Sequence, residues 1–181
     1  MIEVRWHGRG GQGSFTASKL LGTSVALYGG RHALAFPSFG PERRGAPVLA
    51  FTKIDDKKIY DRSEIQKCDF IVVLDETLFN EGFFSDLKED GRIIVNTANS
   101  QAYARYDSKR ITTVDASAAA LEILGKPIAN TAMLGALAAV SGIVELEAVK
   151  QGMDGFLKGS LLIKNKEVVQ RTYLQSKEAM V

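Results

Sequence analysis

Gly8-Arg9-Gly10-Gly11-Gln12-Gly13 follows the apolar-alternating start Ile2–Trp6 and precedes a helical run that begins at Ser14. A strand, a glycine loop and a helix in that order present the first N–H groups of the helix to an anion. Gly8, Gly10 and Gly13 match the dinucleotide spacing G-x-G-x-x-G. That reading also needs an acidic residue about 20 positions on, to hold the ribose hydroxyls. After Glu3 the next acidic residue is Glu42, so the stretch after the loop has none. An NADP variant using Arg31 has little further support. Three readings stay open: an anion of another kind, which Arg9 and Gln12 favour; tight strand–helix packing; and, last, NAD(P).

A second group stands at Gly40-Pro41-Glu42-Arg43-Arg44-Gly45, with Pro37 and Pro47 on either side. Prolines fix bends, and adjacent arginines on a preorganised backbone suit a carboxylate or phosphate. The alternative is a solvated basic pair, or a loop locked by Glu42. Asn130, at the start of a small-residue helix, completes the candidate binding residues: Gly8, Arg9, Gly10, Gly11, Gln12, Gly13, Glu42, Arg43, Arg44, Gly45 and Asn130.

No catalytic set is evident. Cys68 precedes a buried strand with no histidine nearby in sequence, and reads as a small core residue. His7 reads equally as a ligand donor or a structural histidine. Asp75 ends an apolar strand, where α/β proteins place ligand-facing residues, but a helix cap explains it as well. With one cysteine and two histidines, a disulfide framework and a four-cysteine cluster are excluded, and the usual zinc sites find little support. A net charge of +2 from 23 basic and 21 acidic residues gives no argument for nucleic acid or a membrane surface. The chain reads as a cytoplasmic protein with no metal of its own, no leader and no membrane span.

The elements that must position these residues alternate. Strands are expected at Ile2–Trp6, Arg31–Phe36, Val48–Ile54, Asp69–Leu74, Arg92–Asn96 and Ile111–Val114. Helices are expected at Ser14–Tyr28, Phe79–Leu87, Ala116–Leu124, Asn130–Val144 and Glu145–Lys158, with one helical turn at Ser63–Lys67. A turn at Asp55-Asp56 would pair Val48–Ile54 with a short strand, Lys58–Tyr60, as an antiparallel edge hairpin. A second turn is expected at Asp90-Gly91. Continuous apolar runs such as Phe70–Leu74 are what strands buried on both faces look like. The fold class is α/β, a Rossmann-like three-layer sandwich with a mostly parallel sheet and helices on both faces. Residues 1–181 form one domain, with a polar C-terminal tail from about residue 160. The alanines and glycines of 130–144 predict close approach to another helix, in this chain or a partner.

The glycine loop, Phe39-Gly40-Pro41-Glu42-Arg43-Arg44-Gly45-Ala46-Pro47-Val48-Leu49-Ala50-Phe51 and Asn130-Thr131-Ala132-Met133-Leu134-Gly135-Ala136 together resemble the gamma subunits of 2-oxoacid:ferredoxin oxidoreductases, most closely the pyruvate type. The resemblance runs over nearly the whole chain, and the GPERRGAP stretch is its most specific part. It implies a subunit, inactive alone, of an enzyme that converts pyruvate, coenzyme A (CoA) and oxidised ferredoxin to acetyl-CoA, carbon dioxide and reduced ferredoxin. It further implies alpha, beta and delta partner subunits that hold thiamine diphosphate (TPP) and [4Fe-4S] clusters. CoA would be a substrate of the complex, whose substrate or CoA region this chain helps to form. A 2-oxoisovalerate enzyme is the nearest alternative and a stand-alone NAD(P) oxidoreductase the more distant one.

Overall fold

Trp6 lies fully buried at the centre of the first strand, and the sheet is laid out around it. In the computed structural model, which describes residues 1–38 and 44–180, six strands stand in the order β2-β3-β1-β4-β5-β6. They are β1 (Ile2–Arg9), β2 (His32–Pro37), β3 (Pro47–Asp55), β4 (Cys68–Val73), β5 (Leu87–Asn96) and β6 (Ile111–Val114). β1 runs parallel to β4, β4 to β5 and β5 to β6, whereas β3 is antiparallel to both β1 and β2. The α/β fold with a mostly parallel sheet and an antiparallel edge pair is therefore present.

The composition of that edge differs from expectation. The strand at 47–55 does not turn back on Lys58–Tyr60, which has no regular structure; it sits between β1 and β2, and β2 is the edge. Ala50, Phe51, Thr52, Lys53 and Ile54 are all buried, so both faces of β3 are covered and a ladder is needed on both sides. Ser63–Lys67 forms no helical turn. Asp90-Gly91 is not a turn but lies within β5. Its Gly91 allows close approach: a methyl there would stand 2.8 Å from the Cys68 carbonyl oxygen.

The two faces of the sheet are covered differently. Val4, Trp6, Ala50, Ile54, Val72 and Ile94 face a core built from α1 (Ser14–Tyr28) and four later helices. Phe51, Ile71, Val73, Ile93 and Val95 face the other side. There the expected helix at 79–87 is reduced to a 3₁₀ turn, Glu76–Leu78, and the single-turn α2 (Phe83–Asp86). Aromatic side chains fill that layer, with Phe79 packed edge-on against Phe83, Phe84 and Tyr103.

On the helical face, α3 (Ala116–Leu124), α4 (Asn130–Ser141) and α5 (Leu146–Gly152) agree in place with the sequence reading, although α4 stops at Gly142 and α5 well before Lys158. Gly142 adopts φ +63°, a left-handed C-terminal stop. The polar tail is a correction: residues 159–178 form the longest helix, α6 (Gly159–Glu178). Its buried side carries Asn165, Val168, Val169, Thr172 and Ser176, so hydroxyls and an amide occupy positions where apolar residues would have signalled a helix. Thr172 Oγ1 donates to the Ala132 carbonyl of α4 at 2.7 Å. Gly135 permits that approach, since a methyl there would stand 2.3 Å from the Val169 carbonyl oxygen. The small residues of α4 thus meet a helix of this same chain, and Asn130 to Ala139 are buried all round, as in a central helix.

Candidate functional site

β1 extends further than Trp6. Gly8 and Arg9 still pair with Val48 and Pro47 of β3, so the turn proper is Gly10-Gly11-Gln12-Gly13. Gly11 and Gly13 take φ +97° and +82°, a region that side-chain-bearing residues rarely adopt. Gly13 has a second constraint: a methyl there would stand 2.4 Å from Asn130 Nδ2. The starts of α1 and α4 therefore meet across a glycine with no room for a side chain. Asn130 does not cap α4 from outside; Ala129 holds that place, and Asn130 Oδ1 accepts from Thr131 N at 2.9 Å.

The N-terminus of α1 has neither a side-chain cap nor an acidic residue in its first turn. Ser14 Oγ is buried there and has no hydrogen-bond partner among the described residues. Such a helix end favours negative charge. The polar side chains of the loop turn elsewhere. Gln12 Oε1 accepts from Arg9 N at 2.7 Å, and Gln12 Nε2 donates to Asp75 Oδ2 at 2.9 Å. Arg9 donates from Nε to Asp75 Oδ2 (3.1 Å), from Nη1 to the Gly45 carbonyl (3.0 Å) and from Nη2 to Thr77 Oγ1 (2.7 Å). The guanidinium fork thus joins three segments.

The proline–arginine loop reaches the same place. Gly10 N donates to the Ala46 carbonyl at 2.9 Å and Gly45 N to the Gly10 carbonyl at 3.1 Å, so Gly10 and Arg44 form a short parallel bridge. Arg44 and Gly45 are exposed on this rim. Glu42 and Arg43 lie outside the described residues. Of the predicted positions, Gly8–Gly13, Arg44, Gly45 and Asn130 converge at one end of the sheet.

Sequence reasoning undervalued Asp75. It caps the 3₁₀ turn by accepting from Thr77 N and also receives Arg9 and Gln12. Burial alone would raise its carboxyl, but the bonds from Thr77 and Gln12 and the charge of Arg9 hold it below the usual carboxylate range. An Asp-x-Thr at the end of a buried strand was the available signal for this. Beside the loop, a pocket of about 140 Å³ is lined by Gly11, Gln12, Leu74, Ser117, Pro127, Ile128 and Ala129. It lies at the carboxyl ends of β1 and β4, where open α/β sheets take ligands.

His7 points away from this rim. It is buried on the sheet face away from α1, deeper than Arg9, 4.3 Å from the Phe83 ring centroid, and accepts a hydrogen bond at Nε2 from Arg5 Nε (3.0 Å). Burial, reinforced by the Arg5 charge, lowers its pKa to about 3, so the ring is neutral. Cys68 is buried as expected, and burial raises its thiol to about 11, which removes thiolate reactivity. Arg31 donates to Asp56 at 2.9 Å. Among the described residues no three His, Cys, Asp or Glu side chains gather as metal ligands, and no helix is long and apolar enough to cross a membrane.

The comparisons agree with this layout. The family model described as pyruvate ferredoxin/flavodoxin oxidoreductase matches residues 3–175. Pyruvate synthase subunit PorC of Methanocaldococcus jannaschii is 47% identical over 174 residues, which is 96% of each chain. The subunit gamma common to the pyruvate and ketoisovalerate oxidoreductases of Pyrococcus furiosus is 44% identical, again over 96% of each chain. The crystal structure of pyruvate oxidoreductase subunit PORC from Thermotoga maritima superposes with a TM-score of 0.81 at 38% identity, covering 96% of this chain and 95% of that one. With a fold, a rim of converging loops and near full-length similarity in accord, the chain belongs to the pyruvate ferredoxin/flavodoxin oxidoreductase family.

Proposed function

We propose that this chain is the gamma subunit of a multi-subunit pyruvate:ferredoxin oxidoreductase, working in the cytoplasm with alpha, beta and delta partners. The complex oxidatively decarboxylates pyruvate, passes the acetyl group to CoA and delivers two electrons to ferredoxin. TPP and the [4Fe-4S] clusters belong to the partners. The residues here do not fit a cluster, since the one cysteine is buried in the sheet. TPP would supply the carbanion chemistry from its own subunit. This chain's part is to complete the complex and to form part of the CoA region, through Gly8–Gly13, Glu42–Gly45 and Asn130.

The observation that carries this reading is the joining of the two loops. Gly45 and Ala46, at the end of the most specific segment of the resemblance, are tied by backbone hydrogen bonds to Gly10, in the turn that leads into an uncapped helix start. Arginines and free helix N–H groups at one rim suit the phosphates of CoA. The adjoining pocket, at about 140 Å³, is below the roughly 300–1,000 Å³ that holds a whole ligand, which favours a ligand shared with a partner chain. A second reading concerns the oxoacid. The Pyrococcus relative is named as common to pyruvate and ketoisovalerate enzymes, which favours substrate choice lying outside this subunit.

Co-expression with the three partners tests the proposal. The chain alone should turn over no pyruvate, and the complex should. In the complex, Arg43→Ala and Arg44→Ala should each raise KM for CoA by roughly ten-fold while assembly stays intact. Wild-type CoA kinetics in both variants would reduce the loop to scaffolding.

A further inference from the structure

Asp75 sits where the two loops can be controlled together. Its Oδ2 receives Arg9 Nε and Gln12 Nε2, and its Oδ1 receives Thr77 N and Oγ1, at 3.1 and 2.5 Å. Its side chain is 17% exposed, which leaves little access for water to compete. The Arg9 fork then passes this hold to the Gly45 carbonyl, one residue beyond Arg44. The path is continuous: a strand end fixes a carboxylate, the carboxylate fixes a guanidinium, and the guanidinium fixes the backbone next to an exposed arginine.

We infer that Asp75 is a positioning residue, which holds Arg44 and Gly45 in place through Arg9. A planar fork held at Nε by a carboxylate has one orientation, so its Nη1 donates to a carbonyl at a defined place. Without the carboxylate, Arg9 keeps its charge but loses that orientation. Among the described residues Gly45 then retains its backbone pair to Gly10, and Arg44 samples more conformations at the moment it is needed. A ligand that must order the loop binds more weakly by the cost of ordering it. Gln12 moves with the same carboxylate, so the glycine turn is tuned along with the arginine loop.

The consequence for CoA rests on the proposed function above, and two measurements separate the two ideas. The first reads the loop without any ligand. Trypsin should cleave the Arg44–Gly45 bond of the full-length Asp75→Asn chain roughly ten-fold faster than in the wild type, because local opening governs such cleavage. Arg9→Lys, which keeps the charge and removes the fork, should do the same, and it stands in if Asp75→Asn fails to fold. Unchanged cleavage in the folded variants overturns the positioning role. The second measurement uses the assembled complex. Asp75→Asn should raise KM for CoA roughly ten-fold with kcat within about two-fold, and should add little on top of Arg44→Ala. Full additivity of the two substitutions overturns the coupling. Faster cleavage with CoA kinetics unmoved in every variant supports Asp75 as the holder of the loop and overturns the CoA reading instead.

Discussion

Two arginine–aspartate pairs lie on the same strand, four residues apart, and do different work. Arg5 pairs with Asp86 at 2.5 Å, and its side chain is 9% exposed. Arg9 pairs with Asp75 at 3.1 Å, and its side chain is 34% exposed. The first pair lies under the sheet, where Arg5 also donates to His7 and toward the Ile65 carbonyl. It ties an irregular covering segment and α2 to β1. The second sits at the rim and joins loops that a ligand or partner can reach. The difference teaches that a charge pair in the middle of a strand is read by what covers it. Desolvation makes the inner pair expensive to break, whereas the outer one is cheap to rearrange and suited to a site.

The rim can be broken hardest at its hinge. Gly13→Ala combines a left-handed φ of +82° with a methyl 2.4 Å from Asn130 Nδ2. It should destabilise the fold by about 3 kcal/mol in urea unfolding, the sum of backbone strain and overpacking. Gly11→Ala, with φ +97° but open space around it, should cost only the strain, about 1 kcal/mol. Equal losses would mean that the meeting of α1 and α4 at Gly13 carries no constraint.

The pair-against-pair contrast is tested next. Arg5→Met leaves Asp86 and the Ile65 carbonyl without their donor, and should cost about 2 kcal/mol, reduced from a fully buried pair because Asp86 is 38% exposed. Arg9→Met should cost less, about 1 kcal/mol, because Arg9 itself is 34% exposed and Asp75 keeps its bonds from Gln12 and Thr77. A reversal of that order would refute the division between an anchoring pair and a positioning pair.

A pH dependence is confined to the inner cluster. His7 is held near pKa 3, against an ordinary 6.5, by burial first and by Arg5 second. The unfolded chain therefore takes up a proton as the pH falls below 6.5 that the folded chain refuses. The stabilisation is complete above pH 6.5 and is lost as pH falls toward 3. By pH 5.5 the loss should be about 1.5 kcal/mol. His7→Gln keeps an acceptor for Arg5 and does not titrate, so its acid limb should be flatter by that amount. Parallel curves for the two proteins would place the acid sensitivity elsewhere.

Much of the fold was legible because its signals are local. Apolar runs at 70–74 and 92–96 marked interior strands, and the spacing of Ala17, Leu20, Leu21, Ser24, Val25 and Tyr28 marked one face of α1, buried except for Tyr28 at its exposed end. What failed were elements whose burial is not apolar. α6 meets α4 through Asn165 and Thr172 beside Val168 and Val169, and periodicity of hydrophobicity does not record the polar half of that face. Strand neighbours failed for a different reason. Nothing in Lys57-Lys58-Ile59-Tyr60 forbids a hairpin, but β1 and β2 compete for β3 and cover both its edges.

The sequence by itself determined the strand–turn–helix at Gly8–Gly13, the absence of an acidic ribose partner after it, and the resemblance carried by Phe39–Phe51. These depend on residue types and short spacings, which backbone sterics and charge translate directly. Only the tertiary structure decided that Arg9 and Gln12 serve Asp75, 66 and 63 residues away, and that His7 is buried against Phe83 instead of opening on the rim. Sequence separation of that size carries no geometric information until the parallel pairing of β1 with β4 sets the two strand ends side by side.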